Sequence, residues 1–269
     1  MDTLLERDDA NGVCYRIMTP QDAAAVTAVM ANAFFEGEPV TAIGGGATLS
    51  DMMAFCQMYV PRMADEGNVR CPAPRPLACD ASNCPHASCL TATAKIETHR
   101  SQTVLAVDVQ SHEVLGAFLN EDFANTDPPE FESFLAQADG IWSPCLTMIE
   151  ELEVALSERF AIPPSNRASG RWFHLWMLGV APNGRGRGVG KKLAAHSVRW
   201  AKARGFELAF AECTGALSTH IVHKLGAERI AFLDYAAWQG EHAETLRGLP
   251  ALGHPGMSML AVGLKEPYH

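Results

Sequence analysis

WFHLWMLGVAPNGRGRGVGKKLAAH, residues 172–196, decides the fold because it reads as a strand, a glycine-rich loop and the start of a helix. The first nine residues are almost all apolar, which is typical of a central strand buried on both faces. Apolar residues then recur at helical spacing, and Gly205 is placed to end that helix. These inward positions are Val189, Leu193, Ala194 and Trp200.

The loop between strand and helix predicts a site for a diphosphate. Unpaired amide N–H groups and the positive end of the helix dipole meet there. Glycines let the backbone approach a ligand, and Arg185, Arg187, Lys191 and Lys192 are expected to add local positive charge. The loop does not end in Lys-Ser or Lys-Thr, as a P-loop does. Few strand–helix–strand units precede it, which argues against a Rossmann domain. The alternative is a glycine-rich turn that only shapes the chain.

Composition and charge limit the possible partners. The chain has 269 residues, of which 48% are hydrophobic and 19% charged, as in soluble globular proteins. Its net charge of -10 argues against nucleic-acid and anionic membrane partners and favours a cationic small substrate. No run of 18 apolar residues occurs and the N-terminus is acidic, so a cytoplasmic location is expected.

The remaining pattern predicts one mixed α/β domain over residues 1–269. A Cys- and Pro-rich segment at about 66–96 is interpreted as a surface insertion. The predicted elements are a strand at 14–20, a helix from Thr19-Pro20 to Gly37, a helix from Ser50 to about Pro61, a hairpin at 103–119, a helix from Ser143, and later strands in FELAFAEC, RIAFLDY and GMSMLAVGL with a short helix in TGALSTHIVHKL.

LGVAPNGRGRGVGKKLAAH resembles the acyl-CoA-binding motif of the GNAT superfamily of N-acetyltransferases. Arg185, Gly188 and Gly190 occupy its three defining positions, and HKLGAERI at 223–230 resembles the second signature of the family. The resemblance implies a mainly antiparallel, splayed sheet flanked by helices, and acetyl-CoA as cosubstrate. It also implies that backbone amides from Arg187 to Lys191 bind the pyrophosphate and that the strand end at Leu178 to Val180 lies along the pantetheine arm. The implied coenzyme contacts are Leu178, Gly179, Val180, Arg185, Gly186, Arg187, Gly188, Val189, Gly190 and Lys191.

Two further segments resemble arylalkylamine N-acetyltransferases of the insect type. They are AFFEGEPV at 33–40 and CTGALSTHIVHKLG at 213–226. The match puts Glu38 in the place of the catalytic glutamate of that group, and Thr214 and Ser218 in the places of two serines. The chain departs from the pattern because Thr214 replaces a serine, Leu217 a tyrosine and Ala227 a phenylalanine.

A primary amine needs a base because its pKa of about 10 keeps it protonated at neutral pH. Glu38 is the first candidate, directly or through a water. Its alternative is a solvated loop acid or a helix-end residue. His174 is the second candidate, on a strand that resembles HLHLLAV of the vertebrate arylalkylamine enzymes. Its alternative is a hydrogen-bonded core histidine.

Other groups have candidate roles in the transfer. Thr214 and Ser218 are expected to share a helix face and to offer a hydroxyl to the leaving sulfur, and their alternative role is capping. Backbone amides from Leu178 to Val180 are candidates for the oxyanion site. Cys213 is interpreted as a core thiol rather than a nucleophile. Candidates for an aromatic acceptor pocket are Phe34, Phe35, Tyr235 and Trp238.

The Cys-rich segment permits two interpretations. Cys71, Cys79, Cys84 and Cys89 with His86 would make a zinc site, but their intervals are not those of C-x2-C knuckles, so a reduced loop is favoured and no metal is expected.

The sequence thus predicts direct acetyl transfer from acetyl-CoA to a small-molecule primary amine, an arylalkylamine, in a ternary complex. The alternatives are acetylation of a polyamine, an aminoglycoside or a protein N-terminus, and a non-catalytic acyl-CoA sensor. The sequence is consistent with either a monomer or a dimer.

Overall fold

The computed structural model describes residues 4–65, 101–138, 140–161 and 170–265. Eight strands form one sheet in the order β1-β2-β3-β4-β5-β6-β8-β7, and every neighbouring pair is antiparallel except β5 and β6. The predicted mixed, mainly antiparallel sheet is therefore confirmed. The strands are β1 (Leu4–Asp8), β2 (Val13–Ile17), β3 (Val104–Asp108), β4 (Val114–Asp122), β5 (Trp172–Val180), β6 (Leu208–Cys213), β7 (Glu228–Asp234) and β8 (Gly256–Gly263).

Helices cover both faces of the sheet, as its alternation of buried side chains requires. Val104 and Ala106 belong to a core beneath α5 and α6, whereas Leu105 and Val107 belong to a core beneath α1 and α2. Helix α4 covers a third core at the β6–β8 end. The helices are α1 (Ala23–Gly37), α2 (Leu49–Asp65), α3 (Phe131–Gln137), α4 (Ser143–Phe160), α5 (Val189–Ala203) and α6 (Ala216–His223).

The sheet is splayed at β5 and β6. These strands pair in register only at Trp172–Leu208, Phe173–Ala209 and His174–Phe210. Strand β5 continues along β4 as far as Val180, with a bulge at Trp176 where Leu175 and Met177 oppose consecutive residues of β4. The gap between Leu175–Val180 of β5 and Ala211–Cys213 of β6, called the β5–β6 wedge below, leaves polar backbone groups of β5 without a partner strand on that side.

Several boundaries differ from the prediction. Helix α2 runs to Asp65, past Pro61, because proline removes only its own amide bond and the following Met63 and Ala64 are buried. Strand β1 and helix α3 were not predicted, and the expected turn after α1 is a π-helix, Pro39–Gly44. The predicted insertion at 66–96 lies outside the described residues, and the single-domain assignment stays a prediction.

None of the helices in the described part of the chain has the length and hydrophobicity needed to cross a membrane. Within the same residues, no group of three or more His, Cys, Asp or Glu side chains is arranged to hold a metal ion. The five residues named for a zinc site are outside them.

Candidate active site

A cavity of about 410 Å³ opens beneath α1, α2, α3 and α4, against β4, β5 and β6. Aromatic and acidic side chains dominate its wall. The aromatic residues are Phe34, Phe55, Tyr59, Phe123, Phe131, Trp142 and Trp176, and the acidic ones are Glu38, Glu121, Asp127, Glu150, Glu153 and Glu212. Among the described lining residues His174 is the single basic side chain. Such a wall suits a cation with an apolar body.

The aromatic side chains pack on one another and make the wall rigid. Phe55 stacks on Trp142 with ring centroids 4.5 Å apart, and Tyr59 lies 4.6 Å from Trp176. The Tyr59 hydroxyl donates to Asp127 Oδ1 at 2.7 Å. The indole Nε1–H of Trp142 is buried without an acceptor among the described atoms, so the wall keeps one unused donor.

Of the four aromatic residues predicted for the acceptor pocket, only Phe34 lines the cavity. Phe35 is 43% exposed, because it lies on the outer face of α1. Tyr235 and Trp238 are buried in the core under α4, where their polar atoms bind Thr214 O at 2.6 Å and Glu151 Oε1 at 3.0 Å. The prediction is therefore wrong for these three residues.

His174 lies between two carboxylates at the start of the β5–β6 wedge. Its Nδ1 is 3.1 Å from Glu121 Oε1 and its Nε2 is 2.7 Å from Glu212 Oε2. The Phe210 ring stacks on the imidazole at 4.8 Å and 6°. Burial opposes protonation, but the charge of Glu212 and the hydrogen bonds to both carboxylates outweigh it, so the pKa of His174 is raised to about 10.

Glu38 lines the cavity and is buried, with 7% of the residue exposed. It is not the solvated acid of the alternative interpretation, but it is a helix-end residue, as that interpretation also allowed, at the C-cap of α1. Its carboxylate caps the π-helix: Oε1 accepts from Val40 N at 3.1 Å, and Oε2 accepts from Thr41 N at 2.5 Å and Ala42 N at 3.4 Å. Glu38 thus fixes the chain where α1 ends and contributes negative charge to the wall.

Thr214 and Ser218 are separated by the start of α6. Thr214 precedes the N-cap Gly215 and lines the cavity, so it does not share a helix face with Ser218 as predicted. The Ser218 hydroxyl donates to Gly215 O at 3.0 Å and accepts from Gly215 N at 3.4 Å. Ser218 therefore has the capping role that had been the alternative, and the structure brings only Thr214 to the wall.

The glycine-rich loop has the backbone geometry that an anion cradle needs. Gly186 and Gly188 have φ of 76° and 73°, which favours glycine over residues with a Cβ. Helix α5 begins at Val189, so the amides of its first turn have no intrahelical acceptor. The loop therefore fits a diphosphate through backbone donors. Gly179 has a packing role, since a Cβ there would lie 2.7 Å from Met30 Sδ of α1.

The side-chain charges of the loop are mostly neutralised, contrary to the expectation of a local positive field. Arg185 pairs with Glu36 at 2.5 Å and Arg187 with Asp108 at 3.2 Å. Lys192 pairs with Glu6 at 2.5 Å and Asp8 at 2.9 Å, and these partners raise the pKa of Lys192. The partners belong to β1, the β3 end and α1, so these cations join elements together. Lys191 is exposed.

Sequence reasoning missed Glu121, Glu212 and most of the aromatic wall. Glu212 stands out in FELAFAEC as an acid within an apolar strand, which is a usable signal. Glu121 becomes a partner of His174 only through the register of β4 with β5, which pairs the two residues across the strands. Phe55 and Tyr59 come from α2, whose apolar stripe is equally consistent with an ordinary core, and Trp142 is the residue that precedes α4.

Part of the chain matches a known protein family. Residues 119–227 match the acetyltransferase (GNAT) family, a segment that runs from within β4 to the residue before β7. A comparison with curated protein sequences found no match.

Similar solved structures cover nearly the whole chain. Arylalkylamine N-acetyltransferase 2 from Aedes aegypti is 16% identical over 95% of this chain and 100% of that one, with a TM-score of 0.63. The C-terminal condensation domain of Ebony, in complex with beta-alanyl-dopamine, is 11% identical over 93% and 98%, with a TM-score of 0.62. Drosophila melanogaster polyamine N-acetyltransferase, which forms N-acetylagmatine, is 17% identical over 93% and 99%, with a TM-score of 0.59. At these identities the likeness shows the shared fold.

Proposed function

We propose that this chain, of which residues 119–227 match the acetyltransferase (GNAT) family, transfers acetyl from acetyl-CoA to a cationic primary amine. The observation that carries the proposal is the cavity at the β5–β6 wedge. Six acidic residues and one histidine line it, with no arginine or lysine among its described lining residues. An ammonium is the substrate group that such a wall would attract.

The loop at Gly186–Lys191 is proposed to hold the coenzyme. Backbone amides from Arg187 to Lys191 would bind the pyrophosphate, and Leu178 to Val180 of β5 would lie along the pantetheine arm. The positive φ of Gly186 and Gly188 and the free first turn of α5 support this assignment. When bound, acetyl-CoA supplies a thioester carbonyl for the amine to attack.

The chain's own residues would then prepare the amine. Carboxylates of the wall bind the ammonium and one of them removes a proton, because only the neutral nitrogen has a lone pair for attack. The amides from Leu178 to Val180 keep their proposed role as the oxyanion site. Thr214 is still proposed to offer its hydroxyl to the leaving sulfur. The proposal also keeps direct transfer, without a covalent acetyl-enzyme. Burial raises the pKa of the Cys145 thiol in the wall, which disfavours the thiolate that such an intermediate would need.

The acceptor is proposed to be an arylalkylamine. The stacked rings of Phe55 and Trp142, and the tilted rings of Tyr59 and Trp176 beside them, offer apolar surfaces to an aryl group. The unpaired Trp142 Nε1–H would bind a hydroxyl or other acceptor on the ring.

A linear diamine or polyamine is the second candidate. Asp127, Glu150 and Glu153 add acidic groups to the wall beyond those around His174. A second cationic centre on the substrate would be stabilised by them, whereas an aryl group would not.

The test is turnover of a panel of amines at fixed acetyl-CoA, after calorimetry has measured coenzyme binding. We expect heat with coenzyme A, and kcat/KM values higher for tryptamine, dopamine and phenethylamine than for agmatine and putrescine. Preference for the diamines would select the second candidate. Coenzyme binding without turnover of any amine would identify an acyl-CoA sensor, and no binding of coenzyme would overturn the proposal altogether.

A further inference from the structure

We propose that Glu212 takes the proton of the acceptor ammonium, directly or through one water, and that His174 is a positioning residue that holds Glu212 in place. The inference rests on the proposed function and deepens it, because it selects one carboxylate from the several in the wall.

His174 is bound in a way that excludes it as the base. Both ring nitrogens face carboxylate oxygens, at 3.1 Å from Glu121 and 2.7 Å from Glu212. Since a carboxylate only accepts, both nitrogens donate and the ring is an imidazolium. It has no lone pair left for the proton of a substrate. Its positive charge instead lies between two negative ones and fixes their positions.

Glu212 has the free acceptor atom that a base needs. Its side chain is 4% exposed, and Oε2 accepts from His174. Its Oε1 is buried and has no hydrogen-bond partner among the described atoms. A buried carboxylate oxygen without a donor is costly, and a bound ammonium or its bridging water would supply one.

The position of Glu212 matches the place where the strands separate. It lies on β6 two residues beyond Phe210, the last residue of β6 that pairs with β5. Its neighbours Ala211 and Cys213 point to the core beneath α5, so Glu212 points to the opposite face, which carries the cavity. The predicted coenzyme arm along Leu178 to Val180 enters the same wedge.

The other acidic groups near Glu212 are already engaged. Glu38 accepts three backbone N–H groups through its two oxygens. Glu121 of β4 binds the far side of His174 and is 22% exposed. Cys145 of α4 also faces Glu212, and the Cys145 thiol stays protonated because burial raises its pKa. His174 is thus the one cation among the described groups around Glu212.

The proton balance is simple. One proton of the ammonium passes to Glu212, and the nitrogen lone pair then forms the C–N bond at the thioester carbonyl. The C–S bond breaks and its electron pair stays on sulfur. The nitrogen loses a second proton as the amide forms; one of the two protons ends on the thiol and the other goes to solvent.

Glu212→Gln and Glu38→Gln, compared with the exposed control Glu228→Gln, test the assignment. We expect Glu212→Gln to lower kcat/KM by about 10²-fold and to remove the acid limb of the pH–rate profile, with coenzyme A affinity unchanged. Glu38→Gln should lower kcat/KM by less than about tenfold and keep the acid limb of the profile. The control lies at a surface ion pair with Arg159 and should match the wild type.

Further measurements separate a base from a structural residue. Glu212→Asp keeps the charge and should retain the acid limb. His174→Gln should shift this limb to higher pH, because the carboxylate loses its cationic neighbour. With coenzyme A bound and no acetyl group present, amine affinity should fall at acidic pH in the wild type and fall less in Glu212→Gln.

Three results would overturn the assignment. One is an acid limb that persists in Glu212→Gln, another is a limb lost in Glu38→Gln instead, and the third is equal activity of the Asp and Gln variants. These outcomes are distinct from failure of the proposed function, which wild-type coenzyme binding and amine turnover test without any variant.

Discussion

Two buried histidines show how the surroundings of a residue decide its charge. His174 lies between Glu121 and Glu212, and its pKa is raised to about 10. His196 of α5 stacks on Tyr15 at 4.9 Å, and burial together with the nearby Arg199 lowers its pKa to about 4. The first is therefore charged at neutral pH and the second neutral.

His174 should make stability depend on pH. Because its folded pKa of about 10 exceeds the reference value of 6.5, its stabilising contribution is complete below pH 6.5 and is lost as the pH rises toward 10. We expect urea midpoints of the wild type to fall over this window, and those of His174→Gln to fall less. His220→Gln, at an exposed position of α6, is the control. Parallel slopes for wild type and His174→Gln would contradict the expectation.

At the scale of elements, the loop before α5 depends on glycine. Gly188 has φ of 73° and an added Cβ would meet nothing within 4 Å, so the cost of Gly188→Ala is backbone strain and not a clash. We expect this variant to lose about 1–2 kcal/mol of unfolding free energy and to bind coenzyme A more weakly. Chemical denaturation and calorimetry measure the two effects.

Gly37→Ala at the end of α1 is the matched control, since its φ is not positive and an added Cβ also meets nothing within 4 Å. It should leave coenzyme affinity unchanged and stabilise the protein by up to about 1 kcal/mol. Equal losses in both variants would show that the left-handed conformation of Gly188 has no special role.

Lys192 joins α5 to β1 and is predicted to act on stability more than on coenzyme binding. It binds Glu6 and Asp8 and is 37% exposed. Such exposed pairs contribute little to stability and weaken in salt. Lys192→Met should therefore reduce the unfolding free energy slightly at low salt, while calorimetry finds coenzyme A affinity within about threefold of the wild type. A tenfold loss of coenzyme A affinity would instead show that Lys192 contributes to binding of the coenzyme phosphates.

For the whole molecule, the net charge of -10 and the acidic cavity wall have the same sign. A cationic amine should therefore be drawn toward the site at low ionic strength. We predict that kcat/KM for the amine falls as salt rises to about 0.15 M, because the Debye length shrinks to about 8 Å, while kcat stays constant. Initial rates over a salt series measure this. Insensitivity to salt would mean that the acids act only after binding.

Much of the fold could be predicted because local patterns report local structure. Strand β5, the loop and α5 follow from one stretch of the chain, and the hairpin of β3 and β4 follows from alternation about a polar turn. Strand β1 was missed because LLERD is short and charged, as an edge strand can be. Pro61 suggested a helix end that burial of the next turn prevented.

The candidate site could be predicted only where its residues carry a local signal. His174, Glu38 and Thr214 stand in distinctive segments, and each lines the cavity. The capping bonds of Glu38 were not foreseen, because they depend on the π-helix, and capping by Ser218 had been only the alternative to a role at the leaving sulfur. The charge pairs of the loop likewise join residues far apart in the chain.

The sequence by itself determined the elements, the glycine-rich loop and an acidic chain suited to a cationic partner, because periodicity, glycine placement and charge are properties of neighbouring residues. Only the tertiary structure decided which side chains share the wall of the cavity. The register of β4 with β5, and the end of pairing between β5 and β6 after His174 and Phe210, place Glu121, His174 and Glu212 together. That placement depends on packing between distant segments, which no local pattern specifies.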